Sequence, residues 1–456
     1  MKKVAFHNLG CKVNSYELDG IMQNFQKCGY EIVDFAQKAD IYVVNTCTVT
    51  NIADRKSRQM LHKAKITNPD AVVIATGCYV QTDTVGAIND EAIDFVVGNN
   101  EKARLVDYVE EYLAHKEETN GEINISEDKT LSGKTVDDLS RETEYENFCI
   151  TDTNEHTRAY IKIQDGCNQF CSYCAIPLAR GRVRSRDVED IIEEIKGLAA
   201  NGYREVVLTG IHLSSYGLDL SYNAFTQNQD ADNDALLNVI ESIAKIEGID
   251  RIRLGSLEPR LITEGFLKRL TAVEKVCPHF HLSLQSGCDA VLERMNRRYT
   301  TDEYRRKVQL LRQYYEHPAI TTDVIVGFPM ESEDEFAITQ QYLNDIDLYE
   351  THIFKFSRRR GTVADKMEGQ LTDKIKSNRS TVLMADANRR KLLFIQYYIG
   401  REVEILTEDI ETINGKDYRV GYTKEYVKCA VDVSNIENCL VSGIPDRVED
   451  GILIVK

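Results

Sequence analysis

The feature that most constrains this chain is a loop of three cysteines, Cys167, Cys171 and Cys174, in the stretch DGCNQFCSYC. The loop follows residues 159–163, where Ala159, Ile161 and Ile163 alternate with Tyr160, Lys162 and Gln164, a pattern that predicts a strand. Three thiolates on one short loop have the spacing of metal ligands. A structural zinc site asks for a fourth ligand, and the next histidine is as far away as His212. An oxidised or zinc-bound loop is the plainer alternative. A cubane iron–sulfur cluster fits the count differently, because three cysteines leave one iron open to a ligand that is not protein. Such a ligand can be a reactant, and S-adenosylmethionine, with its amino and carboxylate groups, is one candidate.

The chain has 456 residues, room for roughly three domains at about 150 residues each. No apolar run approaches the roughly 20 residues that span a bilayer. The first residues, MKKVAFHNLG, run directly into a strand pattern without a signal-peptide signature. A cytoplasmic chain with no membrane contact is therefore expected, and its twelve cysteines point to metal or redox chemistry rather than disulfides. A net charge of −17 argues at first against a nucleic-acid partner, but the charge is unevenly spread. Residues 114–157 carry twelve acidic and four basic residues, and 217–235 carry four acidic and no basic ones. Elsewhere bases cluster: Arg180, Arg182, Arg184 and Arg186; Arg294, Arg297, Arg298, Arg305 and Arg306; Lys355 with Arg358, Arg359 and Arg360; Arg389, Arg390 and Lys391. Such clusters can track a phosphate backbone despite an acidic total, although any one of them is more often a solvated face.

An α/β multi-domain architecture follows from the order of patterns. In residues 1–113, strand-like runs at 3–9, 41–45, 72–76 and 95–97 alternate with amphipathic stretches near 15–27, 53–66 and 101–113, which predicts a doubly wound parallel sheet. Leu9-Gly10-Cys11, Asn45-Thr46-Cys47 and Thr76-Gly77-Cys78 each lie just past the carboxyl end of a strand, where open α/β sheets gather ligands. Cys11, Cys47 and Cys78 are thus expected to meet at one sheet edge as a second three-thiolate set, the alternative being three small buried hydrophobes. Residues 114–157 read as an acidic linker or surface insertion. From 158 to about 370, strands at 159–163, 205–208, 251–254, 279–284, 320–326 and 352–356 alternate with five helices. Six such units predict a partial (β/α)6 barrel rather than the full eight, with its active site at the strands' carboxyl ends. Loops there carry Thr209, Gly210 and His212, Ser256 and Glu258, Gln285 and Ser286, and Gly327, Phe328 and Pro329. Asp323, a carboxylate in an apolar strand, reads as a salt bridge inside the barrel or as a substrate contact. After a basic amphipathic helix at 374–399, short strands and an Asn414-Gly415 turn predict a small antiparallel β-barrel, a common nucleic-acid-binding module. The expected domains are 1–113, the linker 114–157, 158–385 and 386–456.

The C-x3-C-x2-C loop resembles the signature of the radical SAM superfamily. Together with LGC, NTC, TGC and the small terminal barrel, it makes the chain resemble the radical SAM methylthiotransferases over nearly its whole length, the acidic insertion excepted. NLGCKVNSYE, NTCTVTNIADRKSR, ARGRVRSR, LQSGCDAVLERMNRRYT and GYTKEYVKC resemble the branch acting on threonylcarbamoyladenosine in tRNA; sibling branches act on isopentenyladenosine in tRNA or on a ribosomal-protein aspartate. The resemblance implies that Cys167, Cys171 and Cys174 hold a [4Fe-4S] cluster whose open iron binds S-adenosylmethionine. It implies that Cys11, Cys47 and Cys78 hold a second [4Fe-4S] cluster bearing the sulfur to be inserted. Two molecules of S-adenosylmethionine would serve each turnover: one methylates that sulfur, the other yields a 5′-deoxyadenosyl radical that takes hydrogen from C2 of the adenine beside the anticodon. An unactivated aromatic C–H offers no useful proton to a base, so no acid–base catalytic residue is expected. Tyr173, Thr209, Gly210, Ser256 and Glu258 are expected around S-adenosylmethionine. Arg182, Arg184, Arg297, Arg298, Arg358, Arg359 and Arg360 are expected at the phosphates of the tRNA anticodon loop. The terminal barrel would be a TRAM domain, and a separate electron-donor protein is implied. The non-enzymatic alternative is a zinc-bound RNA-binding protein whose six cysteines are structural.

Overall fold

Five short apolar runs open the chain and pair into one parallel sheet. β1 (Lys3–Asn8), β2 (Glu31–Val33), β3 (Ile41–Thr46), β4 (Val72–Gly77) and β5 (Phe95–Val97) lie in the order β2-β1-β3-β4-β5, every neighbouring pair parallel. β3 and β4 are buried along their full length, as runs covered on both faces are. Helices Lys12–Lys27, Asn51–Thr67 and Leu105–Glu118 flank the sheet. The computed structural model describes residues 1–118, 136–153, 157–220 and 234–456.

The central domain is an arc of six parallel strands. β6 (Ala159–Asp165) carries the two-residue β7 (Arg184–Ser185) antiparallel on its edge and pairs on the other side with β8 (Glu205–Gly210), which pairs with β9 (Arg251–Leu254). β10 (His279–His281), β11 (Ala319–Val326) and β12 (Glu350–Lys355) form a second parallel set. The sets are stitched together where the Leu257 N–H donates to the His281 carbonyl at 2.8 Å and the Ser283 N–H to the Leu257 carbonyl at 3.1 Å. The expected partial (β/α)6 barrel is thus present. β10 is shorter than the 279–284 expected, because beyond His281 the backbone divides its bonds between Leu257 on one side and Thr321 and Asp323 on the other. Outward-facing Ile161, Ile163, Val206, Leu208, Ile320 and Val324 are fully buried with residues of the surrounding helices, each burial worth about 1.5–3 kcal/mol. Inward positions are polar by contrast, among them Lys162, Gln164, Arg253 and Asp323.

The N-terminal domain docks on this barrel through a shared apolar core and a set of buried ions. Glu17, on helix Lys12–Lys27, accepts from Lys162 at 2.8 Å, from Arg180 at 2.7 Å and from Lys102. Asp165 accepts from Lys162 at 2.7 Å and from Arg180 at 3.1 Å. Burial pushes both carboxyls up, but the surrounding cations outweigh it and hold both below the usual carboxylate range. Residues 136–153 correct part of the expectation of a surface insertion. Leu139, Phe148 and Ile150 in this stretch are buried, and the Tyr145 hydroxyl donates to the Lys162 carbonyl at 2.7 Å. Phe148 stands edge-on to Tyr16, ring centroids 6.2 Å apart, over Gly20, where a Cβ would come within 2.4 Å of its ring. The remainder of the acidic stretch, 119–135 and 154–156, and most of 217–235 lie outside the described residues.

After helix Asp373–Gln396, six strands form a curled sheet: β13 (Val403–Ile413), β14 (Lys416–Tyr422), β15 (Lys428–Asp432), β16 (Leu440–Gly443), β17 (Pro445–Glu449) and β18 (Ile452–Val455), ordered β16-β13-β14-β15-β18-β17. Its pairs are antiparallel except β15–β18, which is parallel; otherwise it is the TRAM-like barrel expected. Asn414 and Gly415 both take positive φ, 49° and 81°, the turn geometry an Asn-Gly hairpin requires. This module sits on the amino ends of the barrel strands. Arg251 donates to the Tyr422 carbonyl at 2.8 Å, Arg253 to the Lys424 carbonyl at 2.8 Å and Arg158 to Glu408 at 2.7 Å, while the His279 and Tyr426 rings lie 5.2 Å apart. The floor of the barrel is closed, and its mouth opens at the other end.

Candidate functional site

Three strand ends of the N-terminal sheet bring Cys11, Cys47 and Cys78 together. Cys11 stands at the start of helix Lys12–Lys27 and Cys78 at the start of helix Cys78–Thr82, while Cys47 follows β3 and is buried. The glycines of the two Gly-Cys motifs make the close approach possible. A Cβ on Gly10 (φ +122°) would lie 3.3 Å from the Cys47 Sγ, and one on Gly77 (φ +99°) only 2.5 Å from the Thr46 carbonyl oxygen. The Asn14 side chain braces the turn, donating to the Leu9 carbonyl at 2.7 Å and the Thr46 carbonyl at 3.0 Å, and accepting from Arg180 at 2.6 Å. Burial pushes the Cys47 thiol up to about 12, with the Arg180 guanidinium acting in the opposite direction.

The second set sits on the loop after β6. Gly166 (φ +66°) lets this loop pass so close to the Arg182 carbonyl that no side chain fits. The Ser172 N–H donates to the Met295 carbonyl at 3.0 Å and the Ser172 hydroxyl to the Arg294 carbonyl at 2.8 Å. Burial pushes Cys167 up to about 11 and Cys174 up to about 12, so each releases a proton on becoming a ligand. Arg297 donates to the Cys171 sulfur at 3.2 Å, to the Tyr299 hydroxyl at 3.0 Å and to Glu258. Burial raises the Glu258 carboxyl, but Arg297, His212 and Arg260 together outweigh it and hold it below its ordinary value.

The two sets meet at one cavity of about 250 Å³, lined by both Cys78 and Cys174. Tyr173, Gln285, Asp323 and Lys355 line it as well, and Tyr173 stands edge-on to Phe328 at 6.5 Å. Arg359 ties the domains beside it, donating to Asn51 at 2.8 Å, to Asp54 at 2.6 Å and to Thr48. Among the described residues, the one trio of His, Cys, Asp or Glu whose ligand atoms all lie within 4.8 Å of one another is His281, Asp323 and His352.

The residues expected around S-adenosylmethionine lie on the same rim. Thr209 and Gly210 end β8, with Gly210 level with Gln164 of β6, and Ser256 and Glu258 follow β9. The seven arginines expected at phosphates divide. Arg182, Arg298, Arg358 and Arg360 are exposed, Arg182 packing its guanidinium on the Phe170 ring at 4.5 Å and Arg358 donating to Asp365 at 3.0 Å. Arg184, Arg297 and Arg359 correct the expectation: each is buried or nearly so and engaged by Asp165, Glu258 and Asp54 respectively. A basic run in sequence does not say which of its side chains a neighbouring carboxylate claims. The places of Arg297 and Arg180 beside the cysteines are hidden in the sequence for the same reason.

Two family models match: the Radical SAM superfamily over residues 161–343 and the Uncharacterized protein family UPF0004 over residues 3–98. The chain is 38% identical to the threonylcarbamoyladenosine tRNA methylthiotransferase MtaB of Bacillus subtilis (strain 168), over 94% of this chain and 90% of that protein. It is 40% identical to the protein of the same name from Aquifex aeolicus (strain VF5), over 92% and 97%. Among solved structures it resembles the radical S-adenosylmethionine methyltransferase TsrM of Kitasatospora setae, with a TM-score of 0.53 and 17% identity, covering 78% of this chain and 73% of that one, a likeness of fold.

Proposed function

This chain belongs to the radical SAM methylthiotransferase family, and we propose that it places a methylthio group on C2 of the N6-threonylcarbamoyladenosine beside the anticodon of tRNA. Membership makes it an enzyme that uses S-adenosylmethionine and a [4Fe-4S] cluster. The second cluster, at Cys11, Cys47 and Cys78, and the identity of the modified base belong to the proposal. When bound, these groups supply a 5′-deoxyadenosyl radical from one side and a transferable sulfur from the other. The observation that carries the reading is the single cavity lined by Cys78 and Cys174, because hydrogen removal and sulfur delivery must reach one carbon atom.

The protein's own residues hold and shield that chemistry. Gly10 and Gly77 leave room for the first set, and Arg180 keeps a positive charge beside it. Arg297 does the same at Cys171, where hydrogen bonds to sulfur tune such clusters. A cavity of about 250 Å³ is smaller than the usual range of about 300–1,000 Å³ for ligand pockets; it suits one base splayed out of a single-stranded loop. Exposed Arg182, Arg298, Arg358 and Arg360 are the candidates for the phosphates around it. The terminal module, on the opposite end of the barrel, is available to RNA away from the target base. No helix of the described residues is long and apolar enough to cross a membrane.

The test is reconstitution under anaerobic conditions with reductant, S-adenosylmethionine and an anticodon stem-loop carrying threonylcarbamoyladenosine, followed by mass spectrometry of the nucleosides. Methylthiolated product and 5′-deoxyadenosine should appear together. Cys174→Ala should abolish both, and Cys78→Ala should abolish the product while cofactor cleavage continues. Product formed only on an isopentenyladenosine stem-loop would move the substrate to the sibling branch. Bound zinc without iron or labile sulfide would remove the enzymatic reading.

A further inference from the structure

On the inner face of the barrel, at the edge of the cavity, three adjacent parallel strands bring together a histidine, an aspartate and a histidine. His281 ends β10, Asp323 lies in β11 and His352 lies directly opposite Asp323 in β12. One ligand atom from each lies within 4.8 Å of the others. The His281 Nε2 is 3.4 Å from an Asp323 oxygen, and the two imidazoles stack at 5.9 Å with 22° between their planes. His281 is also oriented from behind, its Nδ1 lying 2.9 Å from the Thr321 hydroxyl. With Nδ1 bonded to that hydroxyl, Nε2 is turned toward Asp323, the kind of bracing that fixes ligand histidines in metal sites. Two imidazoles and one carboxylate suit zinc and the neighbouring first-row divalent ions, and three protein ligands leave coordination positions open.

Of this trio, Asp323 reaches into the reaction chamber, while His352 is exposed to solvent. Asp323 and Ile325 share one face of β11, and His352 and Phe354 share one face of β12, by the two-residue period of a strand. Asp323, Ile325 and Phe354 all line the cavity that also holds Cys78 and Cys174. We propose that His281, Asp323 and His352 hold a divalent metal ion whose open positions take a carboxylate carried by the substrate base. The threonylcarbamoyl substituent has such a carboxylate, whereas an isopentenyl substituent has none. The trio thereby supplies a physical basis for discrimination, and this part of the inference rests on the function proposed above. A plain His281–Asp323 ion pair inside the barrel is the competing explanation.

The experiment uses the cluster-loaded enzyme, passed over chelating resin and titrated with Zn2+, with zinc, iron and sulfide all quantified. One zinc per chain beyond the iron is expected. His352→Ala and Asp323→Asn should each weaken zinc binding by more than the roughly 10- to 100-fold that loss of a ligand's hydrogen-bond partner costs, while iron and sulfide stay unchanged, and His352→Cys should restore it. Zinc held by unfilled cysteines would persist in these variants, so equal zinc in parent and variants overturns the site. Zinc should also tighten binding of a stem-loop bearing threonylcarbamoyladenosine about tenfold over one bearing plain adenosine, in the parent and not in His352→Ala. Zinc bound at the trio with no effect on that preference overturns the carboxylate assignment. Methylthio product formed by an enzyme that binds no zinc at the trio refutes this inference alone and leaves the proposed reaction standing.

Discussion

A methyl group added at Gly77 would sit 2.5 Å from the Thr46 carbonyl oxygen, on a backbone with φ of +99°. Relief of both strains moves the start of helix Cys78–Thr82, and with it Cys78. Gly77→Ala should therefore lose the iron bound at the N-terminal set while retaining that of the Cys167 loop, halving iron and sulfide per chain; full iron content would show that the turn tolerates the change. Such strain costs about 1–3 kcal/mol, so the chain should still fold. Arg297 presents a different case, because its guanidinium is 3.2 Å from the Cys171 sulfur. Arg297→Met removes a positive charge and a hydrogen bond that favour the reduced, more negative cluster. The reduction potential of that cluster should fall, read by a redox titration followed by electron paramagnetic resonance; an unmoved potential would reduce Arg297 to an anchor for Glu258.

Helix Lys12–Lys27 bears Glu17, which faces all three of Lys102, Lys162 and Arg180. Removing one partner of a buried ion cluster costs about 3–5 kcal/mol, and Glu17→Ala should lower unfolding stability by that order in a denaturant titration. Both Glu17 and Asp165 sit below their ordinary values of 4.5 and 3.8, so the unfolded chain takes up protons first as the pH falls. Their stabilisation is complete above about pH 4.5 and is lost below it; Glu17→Ala should flatten that acid limb of the stability curve. At the mouth, the turns bearing Arg298, Arg358 and Arg360 make a different prediction. Changing each to Ala should weaken RNA binding and reduce the slope of log K against log salt by about 0.7–0.9 for every phosphate left without its cation. Arg184→Ala, at a buried residue, should change stability and leave that slope alone. Elements such as β3, β4 and the Asn414-Gly415 hairpin are legible in the sequence because apolar runs and turn chemistry are local signals. β2 and the early end of β10 are not, since Glu31–Val33 is only half-buried, unlike the equally short β5, and a divided hydrogen-bond ladder depends on what lies alongside.

Across the whole molecule, the six cysteine positions and the order of domains can be read from motifs at strand ends, because topology sends those ends to the same side of each sheet. The single cavity cannot, since it depends on how two domains dock, and their docking is written in a shared apolar core and in isolated charges scattered from Glu17 to Arg359. The position of the terminal module is hidden for the same reason: Arg158, Arg251 and Arg253 look like ordinary strand residues until their carbonyl and carboxylate partners in 404–424 are in place. Changing Arg251 and Arg253 together to Ala should let that module work loose, releasing a fragment from about residue 400 onward under limited proteolysis; an unchanged digestion pattern would show that apolar packing around Ile405 and Val427 suffices. The ion cluster at Glu17 carries one more implication. Glu17 lies six residues after Cys11, and Arg180 lies six residues after Cys174, so one salt link gauges each sulfur set against the other. A chimera that borrows its first hundred residues from a sibling enzyme would inherit both sets of sulfurs and still misalign them, unless the acid and the arginine travel as a matched couple.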